Sequence, residues 1–242
     1  MKRLLQINPN YQATTSQKIA SALAGISNTV YEFSQAYVDV SNLSLFNRAK
    51  GTWNKSPSTA AIGFGGWSFV PQGNGTVARN ASSKAHSYYD RVNPSEWSLI
   101  AVVARNVDGS SSTHIEPFGN DVNINILTLN LFLSSEGYVA LGEERGPSTK
   151  KRLQVQLDAP NSTNLIAITF SATQGLKMFV NGKLVQENKT DIRPLGIDQY
   201  RFVATGTYGF GHLIVADVDM SKIQYQANLQ LLHDTLIQHY AL

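Results

Sequence analysis

The stretch GLKMFVNGKLVQE, residues 175 to 187, decides the fold class of this 242-residue chain. Its Asn181-Gly182 pair predicts a two-residue type I′ turn, because that turn needs positive φ at both central positions and these residues accept it readily. Apolar and polar residues alternate on both sides of the pair, with Leu176 and Met178 on one face. The stretch therefore predicts an antiparallel hairpin with one buried face and one solvent-exposed face.

The composition limits the classes of protein to which the chain can belong. A chain of 242 residues can bury a large core as one β domain, and it contains no cysteine, which excludes disulfides, thiolate catalysis and cysteine zinc sites. Charged residues make up 15% of the chain and the net charge is +3. The Lys150-Lys151-Arg152 cluster is expected in a solvated loop, so no nucleic-acid partner is predicted.

The first residues predict neither a secretory signal nor a membrane segment. Only Leu4 and Leu5 follow the basic start before Gln6 interrupts, and no apolar run of 18 residues occurs. Residues 1–28 are predicted to be an N-terminal docking or packing segment. Within it a short helix is expected, capped by Ser16 and ending near Gly25, with an apolar face formed by Ile19, Leu23 and Ile26.

Residues 29–242 are predicted to form one β-sandwich domain. Short β-prone runs alternate here with Gly, Pro, Asn and Ser, a pattern that favours an all-β sandwich over an alternating α/β fold. The predicted strands are Val30–Val40, Ala61–Val70, Trp97–Arg105, Ile124–Leu133, Tyr138–Leu141, Leu153–Leu157, Leu165–Ser171, Leu176–Val180, Lys183–Gln186, Tyr200–Ala204 and His212–Asp217. The segments Pro71–Ser87 and Asp108–Asp121 are predicted to be long loops.

The C-terminal residues change from the strand period to the helical one. Leu229, Leu232, Leu236 and Tyr240 recur at helical spacing, and Ser221 is expected to cap the helix with Gln224 three residues later. This helix is expected to lie on the sandwich or on a neighbouring subunit.

Two stretches resemble the laminin-G-like domains of the concanavalin A-like lectin and glucanase superfamily. NLIAITFSATQGLKMFVNGKLV, residues 164 to 185, is similar to the central strand pair of that family, and GHLIVADVDMSKIQYQANLQLL, residues 211 to 232, to its closing strand and short helix. Thr163-Asn164 replaces the family tryptophan before the central strand, and the acidic residue of the helix is absent. The resemblance implies a jelly roll of two antiparallel sheets.

The resemblance also supplies a test for enzymatic activity. Laminarinase-type members of the superfamily carry paired carboxylates as E-x-D-x-E or E-x-D-x-x-E on one strand face, and the chain contains neither pattern. Asp217 and Asp219 share a face without a glutamate, and Asp217 is expected to be a turn or helix-start acid. Glu143 and Glu144 are adjacent and point to opposite faces of a strand. The chain is therefore predicted not to be an enzyme.

Other catalytic and metal-binding patterns are absent. The sequence has no Gly-x-Ser-x-Gly elbow, and its five histidines show no zinc spacing. The glycine-rich segments 63–66 and 206–211 lack the ending of a phosphate loop and are interpreted as strand-edge bends or turns. Asp108, Asp121 and Asp198 are predicted to lie in loops, but their spacing specifies no calcium site. No metal and no cofactor are predicted.

Aromatic residues near Gly-rich and Ser-rich segments are the predicted ligand-binding residues. Aromatic faces stack on sugars or anchor protein partners, although most aromatics in a sandwich belong to the core. The candidates are Trp53, Trp67, Tyr88, Tyr89 and Tyr208. Trp97, by contrast, opens the continuous apolar run WSLIAVVA and is predicted to be a core residue.

These observations together favour a non-enzymatic structural or adhesive protein of a virus particle. A bacteriophage tail, fibre or capsid-decoration protein is the leading hypothesis, located in the virion with other virion proteins as partners and self-assembled into a homo-oligomer. Glycan or protein recognition through the sandwich loops is expected to accompany this role. The alternatives are a polysaccharide-degrading enzyme of the same fold and a soluble lectin.

Overall fold

The computed structural model describes residues 13–26, 31–34, 38–39, 44–47, 52–55, 67–80, 85–91, 93, 95–105, 113–118, 128–133, 137–145, 148–158, 162–192, 199–205 and 208–242. These residues form two helices, α1 (Thr15–Leu23) and α2 (Gln226–Tyr240), and seventeen strands. The strands are β1 (Tyr31–Ser34), β2 (Val38–Asp39), β3 (Ser44–Asn47), β4 (Thr52–Lys55), β5 (Trp67–Gln72), β6 (Gly75–Asn80), β7 (Ala85–Arg91), β8 (Glu96–Arg105), β9 (Thr113–Phe118), β10 (Thr128–Leu133), β11 (Tyr138–Arg145), β12 (Ser148–Gln156), β13 (Thr163–Ser171), β14 (Gly175–Val180), β15 (Lys183–Asn188), β16 (Gln199–Thr205) and β17 (Tyr208–Ala216).

The strands form three antiparallel sheets. The eight-stranded sheet has the order β15-β14-β13-β8-β17-β6-β5, with β1 also paired to β17. The six-stranded sheet has the order β12-β11-β10-β9-β16-β7, and β2, β3 and β4 form a small third sheet. The predicted all-β antiparallel sandwich with an N-terminal and a C-terminal helix is thus confirmed.

The predicted hairpin joins β14 to β15. Asn181 and Gly182 have φ values of 47° and 80°, as a type I′ turn requires. Asn181 also fastens the turn to β13, since its backbone N–H donates to the Leu165 carbonyl and its side-chain oxygen accepts from the Leu165 N–H, both at 2.8 Å. The hairpin is therefore fixed both along its own strands and to the neighbouring central strand.

The central strands β8 and β13 are buried on both faces. Alternate residues such as Ile100, Val102 and Leu165 belong to one hydrophobic cluster with Ile19 of α1 and Leu232 of α2. The two helices therefore cover one face of the eight-stranded sheet, which explains why every residue of β13 is buried. Neither α1 nor α2, the helices of the described residues, is long and apolar enough to span a bilayer.

The other face of these strands forms the core between the two large sheets. Trp97 and Phe170 are fully buried, with ring centroids 5.6 Å apart, so the prediction that Trp97 is a core residue is confirmed. Arg152 of β12 places its guanidinium carbon 5.8 Å from the centre of the Phe170 ring. Its side chain forms a bidentate ion pair with Asp191, with donor-acceptor distances of 2.5 and 2.6 Å.

The burial of Arg152 corrects one prediction from the sequence. The Lys150-Lys151-Arg152 cluster was expected in a solvated loop, but all three residues lie in β12 and Arg152 is only 5% exposed. The charge is tolerated in the interior because Asp191 supplies the opposite charge and two hydrogen bonds. The sequence did not reveal this burial, because the partner of Arg152 lies 39 residues away in the chain.

Both helices begin at other residues than predicted. Thr14, not Ser16, caps α1: its hydroxyl accepts from the Gln17 N–H, and the Gln17 side chain accepts from the Thr14 N–H, a reciprocal capping box. α2 begins at Gln226 with no side-chain cap, whereas Ser221 donates its hydroxyl to Asp219 at 2.6 Å and accepts from Lys177. The hydroxyl of Ser221 is therefore engaged elsewhere and cannot cap the helix.

Two predicted loops contain strands. Pro71–Ser87 includes β6 and the start of β7, and Asp108–Asp121 includes β9. The segment Val30–Val40 forms two short strands rather than one, while β3 and β4 were not predicted at all. β7 and β9 pair with the distant strand β16, a contact that local Gly, Asn and Ser content does not reveal.

The end of α2 is held by the ring of Tyr240. A hydrogen bond of 2.8 Å joins the Tyr240 hydroxyl to His212 Nδ1, and the Gln72 side chain donates to the Tyr240 carbonyl at 3.0 Å. A Cβ on Gly211 would lie 2.5 Å from Cζ of this ring. Gly211 is therefore needed for close approach of the ring to β17.

We expect Gly211→Ala to lower the free energy of unfolding by about 1 to 3 kcal/mol, measured by urea denaturation, because the new methyl group overpacks the ring. In a Tyr240→Ala background the same change should have little effect, since the obstructing ring is gone. Equal effects of Gly211→Ala in both backgrounds would contradict this contact.

Candidate functional site

The described residues form a groove between the β14–β15 hairpin and α2. The hairpin extends along the side of the helix, and its turn touches the helix: a Cβ on Gly182 would lie 3.2 Å from Ile237 Cδ1 and 3.7 Å from His233 Cβ. The space between them has a volume of about 330 Å³. Pockets that bind small molecules begin at about this size. We call this space the helix–hairpin groove.

The sheet side of the groove follows from the strand register. Lys177 is paired with Glu187 and Phe179 with Leu184, on either side of a β-bulge. Leu176 and Met178 point into the sandwich core and are fully buried, so Lys177 and Phe179 face the helix side. Leu184 is 48% exposed although it is apolar. The sheet therefore gives the groove an apolar pair, Phe179 and Leu184, next to a charged pair, Lys177 and Glu187.

The helix side of the groove is formed by one flank of α2. Gln226, Leu229, Gln230 and His233 recur at helical spacing and line the groove together with Ser221, which precedes the helix. The amide of Gln226 donates to the Ser221 carbonyl at 3.2 Å, and that of Gln230 donates to Asp234 at 2.8 Å. The amide nitrogens are thus anchored in the protein, which leaves their oxygens as acceptors.

A chain of hydrogen bonds positions Lys177 at one end of the groove. The ammonium of Lys177 donates to Ser221 Oγ at 3.0 Å and to Gln174 Oε1 at 3.3 Å. The hydroxyl of Ser221 in turn donates to Asp219 Oδ1 at 2.6 Å, so its oxygen can only accept from Lys177. This arrangement fixes a cation in the groove wall through neutral acceptors.

His233 forms the closed base of the groove near the hairpin turn. Its side chain is 1% exposed, its ring centroid lies 5.7 Å from that of Phe179, and its Nε2 has no hydrogen-bond partner among the described residues. Burial lowers the pKa of His233 to about 4, although neighbouring Asp234 acts in the opposite direction. The imidazole is therefore neutral at pH 7 and adds no charge to the groove.

The aromatic residues predicted as ligand-binding do not share one sheet. The backbone places Trp53 in β4 of the small sheet, Trp67 and Tyr208 in the eight-stranded sheet, and Tyr88 and Tyr89 in β7 of the six-stranded sheet. Their side chains lie outside the described part of the structure, so their role stays a prediction. The predicted loop acids Asp108, Asp121 and Asp198 and the segment 63–66 also lie outside the described residues.

The residues of the helix–hairpin groove were not predicted from the sequence as a site. One signal could have indicated them: Phe179 lies on the hairpin face that alternation assigns to solvent, where an aromatic side chain needs a partner. The helix residues gave no comparable signal, because Gln226 and Gln230 resemble any solvent-exposed helix positions. Only the tertiary contact between hairpin and helix brings the two sets together.

Asp219, His212 and His239 have structural roles. Asp219 is 1% exposed and accepts both the N–H and the hydroxyl of Ser221, which stabilises the turn before α2. His212 bonds Tyr240, and the His239 ring lies edge-on to both of them. Within the described ranges no group of three or more His, Asp or Glu side chains could hold a metal ion.

The sheet order and the buried layer between the two large sheets define an antiparallel β-sandwich. No protein-family model matches the chain, and no curated protein sequence matches it significantly.

Solved structures match at the level of fold. The botulinum neurotoxin serotype D ligand-binding domain in complex with N-acetylneuraminic acid has a TM-score of 0.62 and 12% identity, covering 89% of this chain and 53% of that one. The botulinum neurotoxin type G receptor-binding domain has a TM-score of 0.54 and 14% identity, covering 88% and 52%. A Trypanosoma rangeli sialidase in complex with sialic acid has a TM-score of 0.55 and 9% identity, covering 90% and 37%. This chain thus spans about half the length of the two toxin domains.

Proposed function

We propose that this protein is a non-enzymatic carbohydrate-recognition domain and that the helix–hairpin groove binds the sugar. The observation that carries the proposal is the combination of apolar and polar groups in the groove. Phe179 and Leu184 offer apolar surface to the C–H face of a sugar ring, and the oxygens of Gln226 and Gln230 offer acceptors to its hydroxyl groups. A monosaccharide or disaccharide unit fits a groove of about 330 Å³.

The fold supports the same class of ligand. One similar structure was solved with N-acetylneuraminic acid and another with sialic acid, so sandwiches of this shape accompany sugar ligands in proteins that share little sequence with this chain. Fold likeness alone does not give function. The proposal therefore depends on the groove, and the likeness adds a reason to test sugars first.

The proposal predicts that one exposed leucine matters for sugar binding while its neighbour does not. Leu184 lines the groove opposite Phe179, whereas Val185, which is 42% exposed, does not line it. On a glycan array, wild-type protein should bind a subset of glycans. Leu184→Asp should weaken binding to them by about tenfold or more, because it removes apolar contact area and adds a charge.

Val185→Asp is the matched control, since it makes the same change one residue further along the same strand. We expect this variant to bind within about twofold of wild type, in line with the small effect of most contacts outside a binding centre. An array without any bound glycan would overturn the proposed function. Equal losses in both variants would place the site elsewhere.

The non-enzymatic part of the proposal is supported by the sequence. The paired-carboxylate pattern of the laminarinase-type members is absent, and Asp219 is engaged with Ser221. Depolymerisation of any glycan that binds on the array, measured by release of reducing ends, would overturn it. Loss of such activity in Asp217→Asn would then support the alternative of a polysaccharide-degrading enzyme.

We further propose that the domain serves in a virus particle, as an adhesive component of a bacteriophage tail, fibre or capsid decoration. The low charged fraction and the absence of cysteine support this setting. Mass measurement of the purified protein and proteomics of virions test it together: we expect a homo-oligomer that is present in particles. A monomer that is absent from every particle would overturn it.

A further inference from the structure

The ammonium of Lys177 has bonding capacity that the protein does not use. A protonated lysine carries three N–H donors. Among the described residues two of them have acceptors, Ser221 Oγ and Gln174 Oε1, and both acceptors are neutral. Lys177 also lines the helix–hairpin groove. One donor of a fixed cation is therefore left for a group that enters the groove.

The carboxylates near Lys177 are engaged by other partners. Glu187 faces Lys177 in the strand register, but its carboxylate pairs with Lys189 at 3.3 Å. Asp219 reaches Lys177 only through the hydroxyl of Ser221, from which it accepts at 2.6 Å. Neither carboxylate makes a direct ion pair with Lys177 in the described structure. A ligand carboxylate would supply the missing opposite charge.

The rest of the groove matches the other parts of such a ligand. Gln226 and Gln230 anchor their amide nitrogens on the protein and present oxygens, which accept from hydroxyl groups. Phe179 and Leu184 offer apolar surface in the same groove. His233, at the base of the groove, is neutral at pH 7 because burial lowers its pKa to about 4, so Lys177 is the residue of the groove that attracts a negative charge.

We infer that the helix–hairpin groove selects acidic sugars, that is, sugars that carry a carboxylate beside their hydroxyl groups. This inference rests on the proposed function and narrows its ligand class. The ammonium of Lys177 donates to the carboxylate, and the amide oxygens of α2 accept from the hydroxyls. A charge-assisted hydrogen bond of this kind is about twice as strong as a neutral one.

Three pairs of probes, each differing at one group that is a carboxylate in one member and uncharged in the other, test the inference by titration calorimetry. They are methyl glucuronide with methyl glucoside, methyl galacturonide with methyl galactoside, and the α-methyl glycoside of N-acetylneuraminic acid with its methyl ester. In at least one pair we expect the acid to bind about tenfold or more tightly than its neutral partner, with the difference shrinking as salt is raised.

Lys177→Gln should lower the affinity for the acid to that for the neutral partner. Lys183→Gln removes the same charge from the same hairpin at an exposed position that does not line the groove, and it should keep the preference. Thermal unfolding of both variants shows whether they remain folded. A loss of preference in both variants would mean that net charge alone is responsible, and it would overturn the inference.

The failure of the inference is distinguishable from the failure of the proposed function. If neutral sugars bind as tightly as acids and Leu184→Asp still abolishes binding, the inference is wrong and the sugar site stands. If neutral glycans on the array bind but no acidic member of any pair does, the inference is wrong and the proposed sugar-binding function stands. If neither the pairs nor the array shows binding, both proposals are overturned.

Discussion

Replacing Asp191 with alanine should lower the free energy of unfolding by about 3 to 5 kcal/mol, because it leaves a guanidinium buried without its counter-charge. Arg152 and Asp191 are 5% and 9% exposed, and both oxygens of the carboxylate accept from the guanidinium. Arg152 also lies over the Phe170 ring in the core between the sheets. The measurement is urea denaturation of wild type and variant at pH 7.

The double variant Arg152→Met, Asp191→Leu is the control for this prediction. Apolar residues of similar size often replace a buried ion pair without loss, so the double variant should be more stable than Asp191→Ala alone. This outcome would show that the large effect comes from the unpaired charge. If Asp191→Ala changes the free energy of unfolding by less than about 1 kcal/mol, the value typical of an exposed ion pair, the burial of the Arg152–Asp191 pair is contradicted.

Acidification should destabilise this protein more than it destabilises a His233→Leu variant. Burial lowers the pKa of His233 from 6.5 to about 4, so the unfolded chain binds a proton at this residue before the folded chain does. The contribution of neutral His233 to stability is thus complete above pH 6.5 and is lost as the pH falls from 6.5 to about 4. The difference amounts to about 3 kcal/mol at the lower end.

The measurement compares the pH dependence of unfolding in wild type and His233→Leu between pH 7 and pH 4. Carboxylates titrate in both proteins, and so does His239, whose pKa burial also lowers. The difference between the two curves therefore isolates His233, with Asp234 as the charged neighbour that opposes the shift. Parallel curves would contradict the burial of His233 beneath the hairpin turn.

The sequence was sufficient to predict the elements that depend on local signals. The turn at Asn181-Gly182 requires positive φ at both residues, and the structure has it. The spacing of Leu229, Leu232, Leu236 and Tyr240 predicts a helix with one buried face, and α2 has such a face. Elements that depend on distant partners were missed or misplaced. The Ser221 hydroxyl forms hydrogen bonds with Asp219 and Lys177, so it does not cap α2 as the sequence predicted.

The helix–hairpin groove lies beyond sequence reasoning for the same reason. Its two sides are about 50 residues apart in the chain, with Phe179 on one and His233 on the other, and only the packing of α2 on the eight-stranded sheet joins them. The sequence led instead to aromatic residues near Gly-rich segments as ligand-binding residues, because Gly-rich segments are typical of exposed loops. Polar helix residues such as Gln230 carry no signal of their own.

The central claim is that the groove between the C-terminal helix and the hairpin is where this protein binds its ligand. Amide chemical-shift mapping of labelled protein, titrated with the glycan that binds best, tests this claim most directly. We expect the largest shifts at Lys177, Phe179, Gly182 and Gln230, which line the groove. Shifts confined to the strands that carry Trp53, Trp67, Tyr88, Tyr89 or Tyr208 would contradict the claim.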